Sequence, residues 1–312
     1  MAAEPYLPRL TARLADGVAR LPAEVRARHV AYLLAAQNAD GGFSGREGGS
    51  DLYYTGFALR SLAVLDALTP AISEQAAHFL RGSLTQQTSV VDFFSLLYSC
   101  LLVQSFGGPD VLGDSPADWP DRVAQTLESF RVSDGGYTKS LGGASGSTYH
   151  TFLVALCYQL LGRPVPRMAD VVRFVASRRR EDGGYVEIAP MRRGGTNPTA
   201  AAVGLLQIAE EKVPAALDEV RDSVIDFLAD MASPEGGLRA NGRAPLADLL
   251  STFTAAWTLE QLGGLQRLDT EQVRQFAESL ERSEGGFHGG LWDEGCDVEY
   301  TFYGLGVLGL LV

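Results

Sequence analysis

Two kinds of hydrophobic segment alternate along the chain. In the first kind, apolar residues recur at helical spacing with charges on the opposite side. Examples are AEVRARHVAYLLAAQ from Ala23, ISEQAAHFLRGSL from Ile72, WPDRVAQTLESFRV from Trp119 and MADVVRFVASRRR from Met168, followed by LDEVRDSVIDFLADM from Leu217 and TEQVRQFAESLERS from Thr270. That spacing predicts amphipathic helices with one face to bury. In the second kind, the run is apolar nearly all round: SDLYYTGFALRSL from Ser50, VVDFFSLLYSCLL from Val90, GSTYHTFLVALCYQL from Gly146, TNPTAAAVGLLQI from Thr196, ADLLSTFTAAWTL from Ala247 and CDVEYTFYGLGVL from Cys296. Such helices are buried on most faces.

The joints between the two kinds repeat as well. QNADGGFSG at Gln37, VSDGGYTKS at Val132, REDGGYVEI at Arg180, SPEGGLRAN at Ser233 and RSEGGFHGG at Arg282 each place an acidic residue before Gly-Gly and a hydrophobic residue after it. Paired glycines permit a sharp reversal. The run from Val90 is a sixth copy without its glycine turn. Asp51, Asp92, Ser147, Asn197, Asp248 and Asp297 open the apolar runs and are expected to cap them, with Pro198 at the first helical position after Asn197. The chain therefore predicts an all-α fold of six outer amphipathic and six inner apolar helices. An open stack would leave two uncovered ends. Closure into an α6/α6 barrel, an α/α toroid, removes them. One domain over 1–312 is expected, with an N-terminal helix within 1–21 and repeats from about 22 to 312.

Composition changes this picture little. The chain has 312 residues, 46% of them hydrophobic, and a net charge of −12. A basic stripe for nucleic acid is absent, so no nucleic-acid partner is expected. Cys100, Cys157 and Cys296 are odd in number and far apart, which points to a reducing, cytoplasmic setting. The first residues lack the cationic-then-apolar pattern of a signal peptide. No run approaches the length needed to span a bilayer. Peripheral membrane contact is left open.

The unit Q-x-x-D-G-G-F followed by D-x-x-Y-T-x-x-A-L resembles the prenyltransferase and squalene-cyclase repeat, and the likeness runs from about Gln37 to the end. Size and organisation are most similar to a protein prenyltransferase β subunit of the Rab geranylgeranyltransferase type. Terpene cyclases of the squalene–hopene type share the barrel. The resemblance implies a central cavity lined by aromatics that takes polyprenyl chains, as diphosphates in the transferases. The apolar runs carry such rings: Tyr53, Tyr54, Phe57, Phe93, Phe94, Tyr98, Tyr149, Phe152, Phe253, Trp257, Phe302 and Tyr303. They suit an isoprenoid and a developing carbocation, and would equally serve as core.

Two chemistries follow from the resemblance. In the prenyltransferases an Asp, a Cys two residues later and a His hold zinc. Here Asp248 matches, but Leu250 and Tyr300 stand where the Cys and His belong. His288, Cys296 and Asp297 with Asp248 form the remaining alternative set. The expectation is therefore no required cofactor, with Mg²⁺ (Asp51 and Asp92 being the carboxylates on offer) or Zn²⁺ as secondary possibilities. A helical α-subunit partner is implied only under the prenyltransferase reading. In the class II cyclases D-x-D-D-T supplies a general acid through its middle Asp. Aligned on Thr301, Asp297 matches, Glu299 stands in the acid's place and Tyr300 replaces the third Asp. Glu299 with Asp297 and Tyr300 is the candidate catalytic group. The alternative is a cap at Asp297 and a first-turn acid at Glu299. His150 could orient an acid or meet a diphosphate, as could Arg192 and Arg193 on their loop. Arg178 to Arg180 are expected to be a solvated helix end.

A terpenoid-processing enzyme that needs no zinc is the expectation that follows. A prenyltransferase β subunit with a displaced metal site and a non-catalytic isoprenoid-binding or scaffold barrel are the alternatives.

Overall fold

The computed structural model describes residues 4–85, 87–210, 213 and 216–312. After α1 (Tyr6–Val18), the amphipathic segments form α2 (Ala23–Ala35), α4 (Pro70–Gly82), α6 (Trp119–Ser129), α8 (Met168–Arg178), α10 (Arg221–Ala229) and α12 (Thr270–Ser279). The apolar runs form α3 (Leu52–Val64), α5 (Val90–Ser105), α7 (Thr148–Leu160), α9 (Thr196–Ala209), α11 (Leu249–Leu262) and α13 (Val298–Leu310). Among the described residues the sheet content is one antiparallel pair, β1 (Phe287–His288) and β2 (Cys296–Asp297).

The chain divides into two compact units. One comprises the residues up to Tyr6 and Asp118–Val273. In it α9 packs between α7 and α11, backed by α8 and α10. The other comprises Leu7–Ala117 and Arg274–Val312. In it α3 packs between α5 and α13, with α2 against α3 and α4 against α5. The apolar helices are buried along most of their length, as their all-round hydrophobicity requires.

A recurrent polar lock fixes each helix start. Thr55, Thr151, Thr199 and Thr252 lie one turn into their helices and are buried. Their Oγ1 atoms accept the backbone N–H of Phe43, Tyr137, Tyr185 and Leu238, each at 2.9 Å. These donors are the residues that follow Gly-Gly. The hydroxyls of Thr151, Thr199 and Thr252 donate in turn to the carbonyls of Ser147, Gly195 and Asp248, each at 2.7 Å. The acidic residue of the turn adds a second tie. Asp182 accepts from Gly184 N–H at 3.1 Å and from Gly194 N–H at 2.9 Å, and Asp134 does the same for Gly136 and Gly146. The two glycines serve different needs. Gly183 has φ +87°, where a side chain would be strained, and a Cβ on Gly184 would sit 2.5 Å from the Phe227 ring.

Four caps follow the sequence reading: Asp51, Ser147, Asp248 and Asp297. Two differ. Ser89 caps α5, and Asp92 completes a capping box as its third residue. Gly195 precedes α9 with no side-chain cap; Asn197 is its second residue and accepts from the Thr254 hydroxyl at 2.7 Å. Pro198 is accordingly third, not first. It is tolerated there because first-turn N–H groups have no partner within the helix. Arg178 is also not solvated. It is 3% exposed and pairs with Asp134 at 2.5 Å. Arg180 braces its loop through the carbonyls of Ala189 and Met191, both at 2.9 Å.

The Thr252→Val variant keeps the side-chain volume but leaves the buried Leu238 N–H unpaired. It should lose about 1–3 kcal/mol of unfolding free energy in urea titration. Thr252→Ser, which keeps the hydroxyl, should recover most of that loss.

Candidate functional site

In the unit built on α3, α5 and α13, one helix face carries rings and charge together. Tyr53, Phe57 and Arg60 recur at i, i+4 and i+7 on α3. Phe94 and Tyr98 do so on α5, and Glu299 and Tyr303 on α13. Their rings pack edge to face: Tyr53 and Phe57 at 4.9 Å between centroids, Phe57 and Tyr303 at 5.3 Å, Phe57 and Phe302 at 5.7 Å. Phe93, Phe94 and Tyr98 are buried, and Tyr98 pairs with the Thr11 hydroxyl at 2.7 Å.

Glu299 lies in the first turn of α13 beside these rings. Tyr53 donates its hydroxyl proton to Oε1 at 2.6 Å, and the Tyr303 hydroxyl is 3.4 Å from the same oxygen. Burial pushes the Glu299 carboxyl above its ordinary value of 4.5, and the neighbouring Asp297 charge adds to this. The two phenols and Arg60 pull the other way. Glu299 is thus a carboxyl that resists ionisation yet has a donor ready for the anion.

Asp297 is arranged differently. Its Oδ1 accepts the Tyr300 N–H at 2.9 Å as the α13 cap, and its Oδ2 accepts from Arg46 Nε at 2.8 Å. Arg46 also holds Asp293 through both terminal nitrogens, at 2.8 and 2.5 Å. That pairing keeps the Asp293 carboxyl below the ordinary carboxylate range. The Tyr300 ring lies 5.6 Å from the Arg46 guanidinium. Tyr54 is half-buried and stacks edge to face on Tyr53 at 5.4 Å.

The other unit holds the remaining candidates. His150 Nδ1 is 2.6 Å from Ser147 Oγ, and burial lowers its pKa to about 4, so the imidazole is neutral. Ser147 also bonds Glu187, a carboxyl whose pKa is raised by burial. Tyr149 is 38% exposed and packs edge to face on His150. Trp257 and Phe253 are buried, and Trp257 Nε1 donates to the Tyr6 hydroxyl at 2.8 Å. Arg192 and Arg193 are exposed and, with Arg179 and Arg180, line a surface depression of about 700 Å³.

The zinc alternative has no support in the side-chain positions. Among the described residues no group of three His, Cys, Asp or Glu side chains could hold a metal ion. Asp248 is committed to Ser251, accepting its N–H at 2.7 Å and its hydroxyl at 2.9 Å. His288 Nδ1 meets the Gly295 carbonyl at 2.9 Å, and Cys296 Sγ lies 3.2 Å from the Tyr32 hydroxyl. With Leu250 and Tyr300 in the family's ligand positions, the residues present do not fit zinc.

Three participants were missed in the sequence: Arg60, Arg46 and Glu187. Arg60 had a signal, as the only formally charged residue in the apolar run of α3. Arg46 and Glu187 lie in loops whose path decides their partners, and no periodicity reports that.

The family model for the prenyltransferase alpha-alpha toroid domain matches residues 11–96, 94–210 and 199–312. No curated protein matches the sequence. Protein geranylgeranyltransferase-I of Candida albicans, complexed with GGPP, is structurally similar with a TM-score of 0.73, at 14% identity over 92% of this chain and 91% of that one. The type II terpene cyclase MstE from Scytonema, in complex with geranylgeranyl dihydroxybenzoate, gives 0.64 at 13% identity, covering 98% of both chains. A protein from Actinoplanes gives 0.62 at 17% identity, over 93% of this chain and 99% of that one. Likeness at these identities shows the fold.

The raised carboxyl has a pH signature. A group with a raised folded-state pKa stabilises fully below its unfolded value, and that contribution is lost as pH rises through the folded value. Glu299→Gln keeps an acceptor for Tyr53 but cannot ionise. Its melting temperature relative to the parent should be flat below pH 4.5, the ordinary glutamate value, and should climb above it. A pH-independent difference would count against a raised pKa at Glu299.

Proposed function

The chain belongs to the prenyltransferase alpha-alpha toroid family, and from that premise we propose that it is a terpenoid-processing enzyme whose reaction begins with proton transfer from Glu299. One observation carries this reading: a carboxyl with a raised pKa, set among aromatic rings, with Tyr53 donating to it at 2.6 Å. Burial favours the protonated carboxyl, and the Tyr53 hydroxyl is in place to stabilise the carboxylate once the proton leaves.

The substrate class is a polyprenyl chain or a derivative of one. Proton transfer from Glu299 to a trisubstituted alkene forms a C–H bond and leaves a tertiary carbocation. Attack by the next double bond closes a ring, and loss of one proton at the end restores the balance. The hydroxyls of Tyr53 and Tyr303 meet Glu299, and the rings that carry them suit the positive charge. Asp297 contributes at one remove. Capped onto α13 and paired with Arg46, it fixes the helix start that aims Glu299, and its charge opposes Glu299 ionisation. Tyr300 packs against the same arginine. No step requires a metal held by these residues.

Incubation with geranyl, farnesyl and geranylgeranyl diphosphates and the corresponding alcohols, analysed for products, tests the proposal. Cyclised product is expected, with turnover reduced about 10²-fold or more in Glu299→Gln. Transfer to a cysteine peptide would instead favour a prenyltransferase β subunit, and saturable binding without turnover a non-catalytic isoprenoid carrier.

A further inference from the structure

Arg60 is a cation in an apolar setting. Its guanidinium carbon lies 3.9 Å from the Phe57 ring centroid, 5.0 Å from that of Phe302, and 5.9 Å from those of Phe94 and Tyr98. Its Nε donates to the Gly56 carbonyl of its own helix at 3.0 Å. A guanidinium drawn to aromatic rings keeps N–H donors that a planar oxyanion can still take.

Among the described residues no carboxylate pairs with Arg60, although the chain carries an excess of acidic groups. Glu299 is close enough for the Arg60 charge to act on it, yet it is engaged by Tyr53 and Tyr303 instead. The rings around Arg60 are also those that a hydrocarbon cation would seek. A permanent cation on them disfavours a second one there and leaves the rings nearer Glu299 for that role.

We propose that Arg60 is an anion-binding group, and that the apolar ligand of this face carries an oxyanion, a carboxylate or a phosphate, held by its terminal nitrogens. This assignment rests on the reading of the α3–α5–α13 face as an isoprenoid site. Tyr53 and Arg60 are seven residues apart on one side of α3, roughly 10 Å along the helix axis. A ligand anchored at Arg60 by its anionic end therefore presents its far end, not its head, to Glu299. The anion also has an electrostatic consequence. It neutralises the charge that now draws the Glu299 carboxyl down, so the carboxyl retains its proton more firmly when the ligand is bound.

The test is equilibrium binding of one matched series, farnesol, farnesoic acid, farnesyl monophosphate and farnesyl diphosphate, to the parent, Arg60→Met and Arg60→Lys proteins. Thermal unfolding confirms that each variant is folded. The parent should bind at least one anion about tenfold or more tightly than the alcohol, and the rank of acid against phosphates identifies the headgroup. Arg60→Met should bind the alcohol as the parent does and lose the anion preference, whereas Arg60→Lys should keep part of it. Equal binding of alcohol and anions by the parent would overturn the assignment, as would an anion preference that survives in Arg60→Met or an equal weakening of every compound. Absence of binding by the whole series would instead sink the isoprenoid reading of the face, and the Arg60 assignment with it.

Discussion

A buried threonine hydroxyl that accepts one backbone N–H and donates to one backbone carbonyl is the constraint on which the helix starts depend. An apolar helix has nowhere to place polar backbone groups except within itself, so the turn leading into it must satisfy its own. Thr151, Thr199 and Thr252 do this by bonding both the residue after Gly-Gly and the first carbonyl of the helix. Left unmade, each such bond would strand a buried donor at a cost of about 1–3 kcal/mol. The lock also sets the register in which the first-turn side chains emerge. Thr301, the copy on α13, donates to the Asp297 carbonyl at 2.7 Å, and Glu299 lies between those two residues.

That register separates two carboxyls only two positions apart. Asp297 meets the helix N-terminus and a guanidinium, which is where an anion is stabilised. Glu299 meets rings and phenols, where burial favours the neutral acid. Arg60, two turns further along the same face, adds a positive charge that the rings tolerate and no carboxylate neutralises among the described residues.

Much of this was legible in the repeat. The acidic-Gly-Gly turns and the alternation of amphipathic with apolar runs have direct physical counterparts in ties and layers. Two caps were misplaced because short polar residues close together can exchange the roles of cap and third residue, as Ser89 and Asp92 do. Arg178 to Arg180 read as a solvated end because a cluster of charge usually is one. Only the approach of Asp134 and of the loop carbonyls near Arg180 drew the arginines into bonds.

The sequence by itself determined the helices, their burial and the repeat that joins them, because hydrophobic periodicity and glycine turns act locally and report on neighbours a few residues away. It also narrowed the chemistry, since leucine and tyrosine at Leu250 and Tyr300 cannot replace the thiolate and imidazole of a zinc site. Only the tertiary structure decided that Asp297 pairs with Arg46, that Tyr53 donates to Glu299 and that Arg60 lies among four rings. Each of those contacts joins different segments of the chain, Arg46 to Asp297 across 251 residues and Tyr53 to Glu299 across 246. A proton affinity is set by such partners and by burial, and neither is a property of the residues that stand next to one another in the sequence.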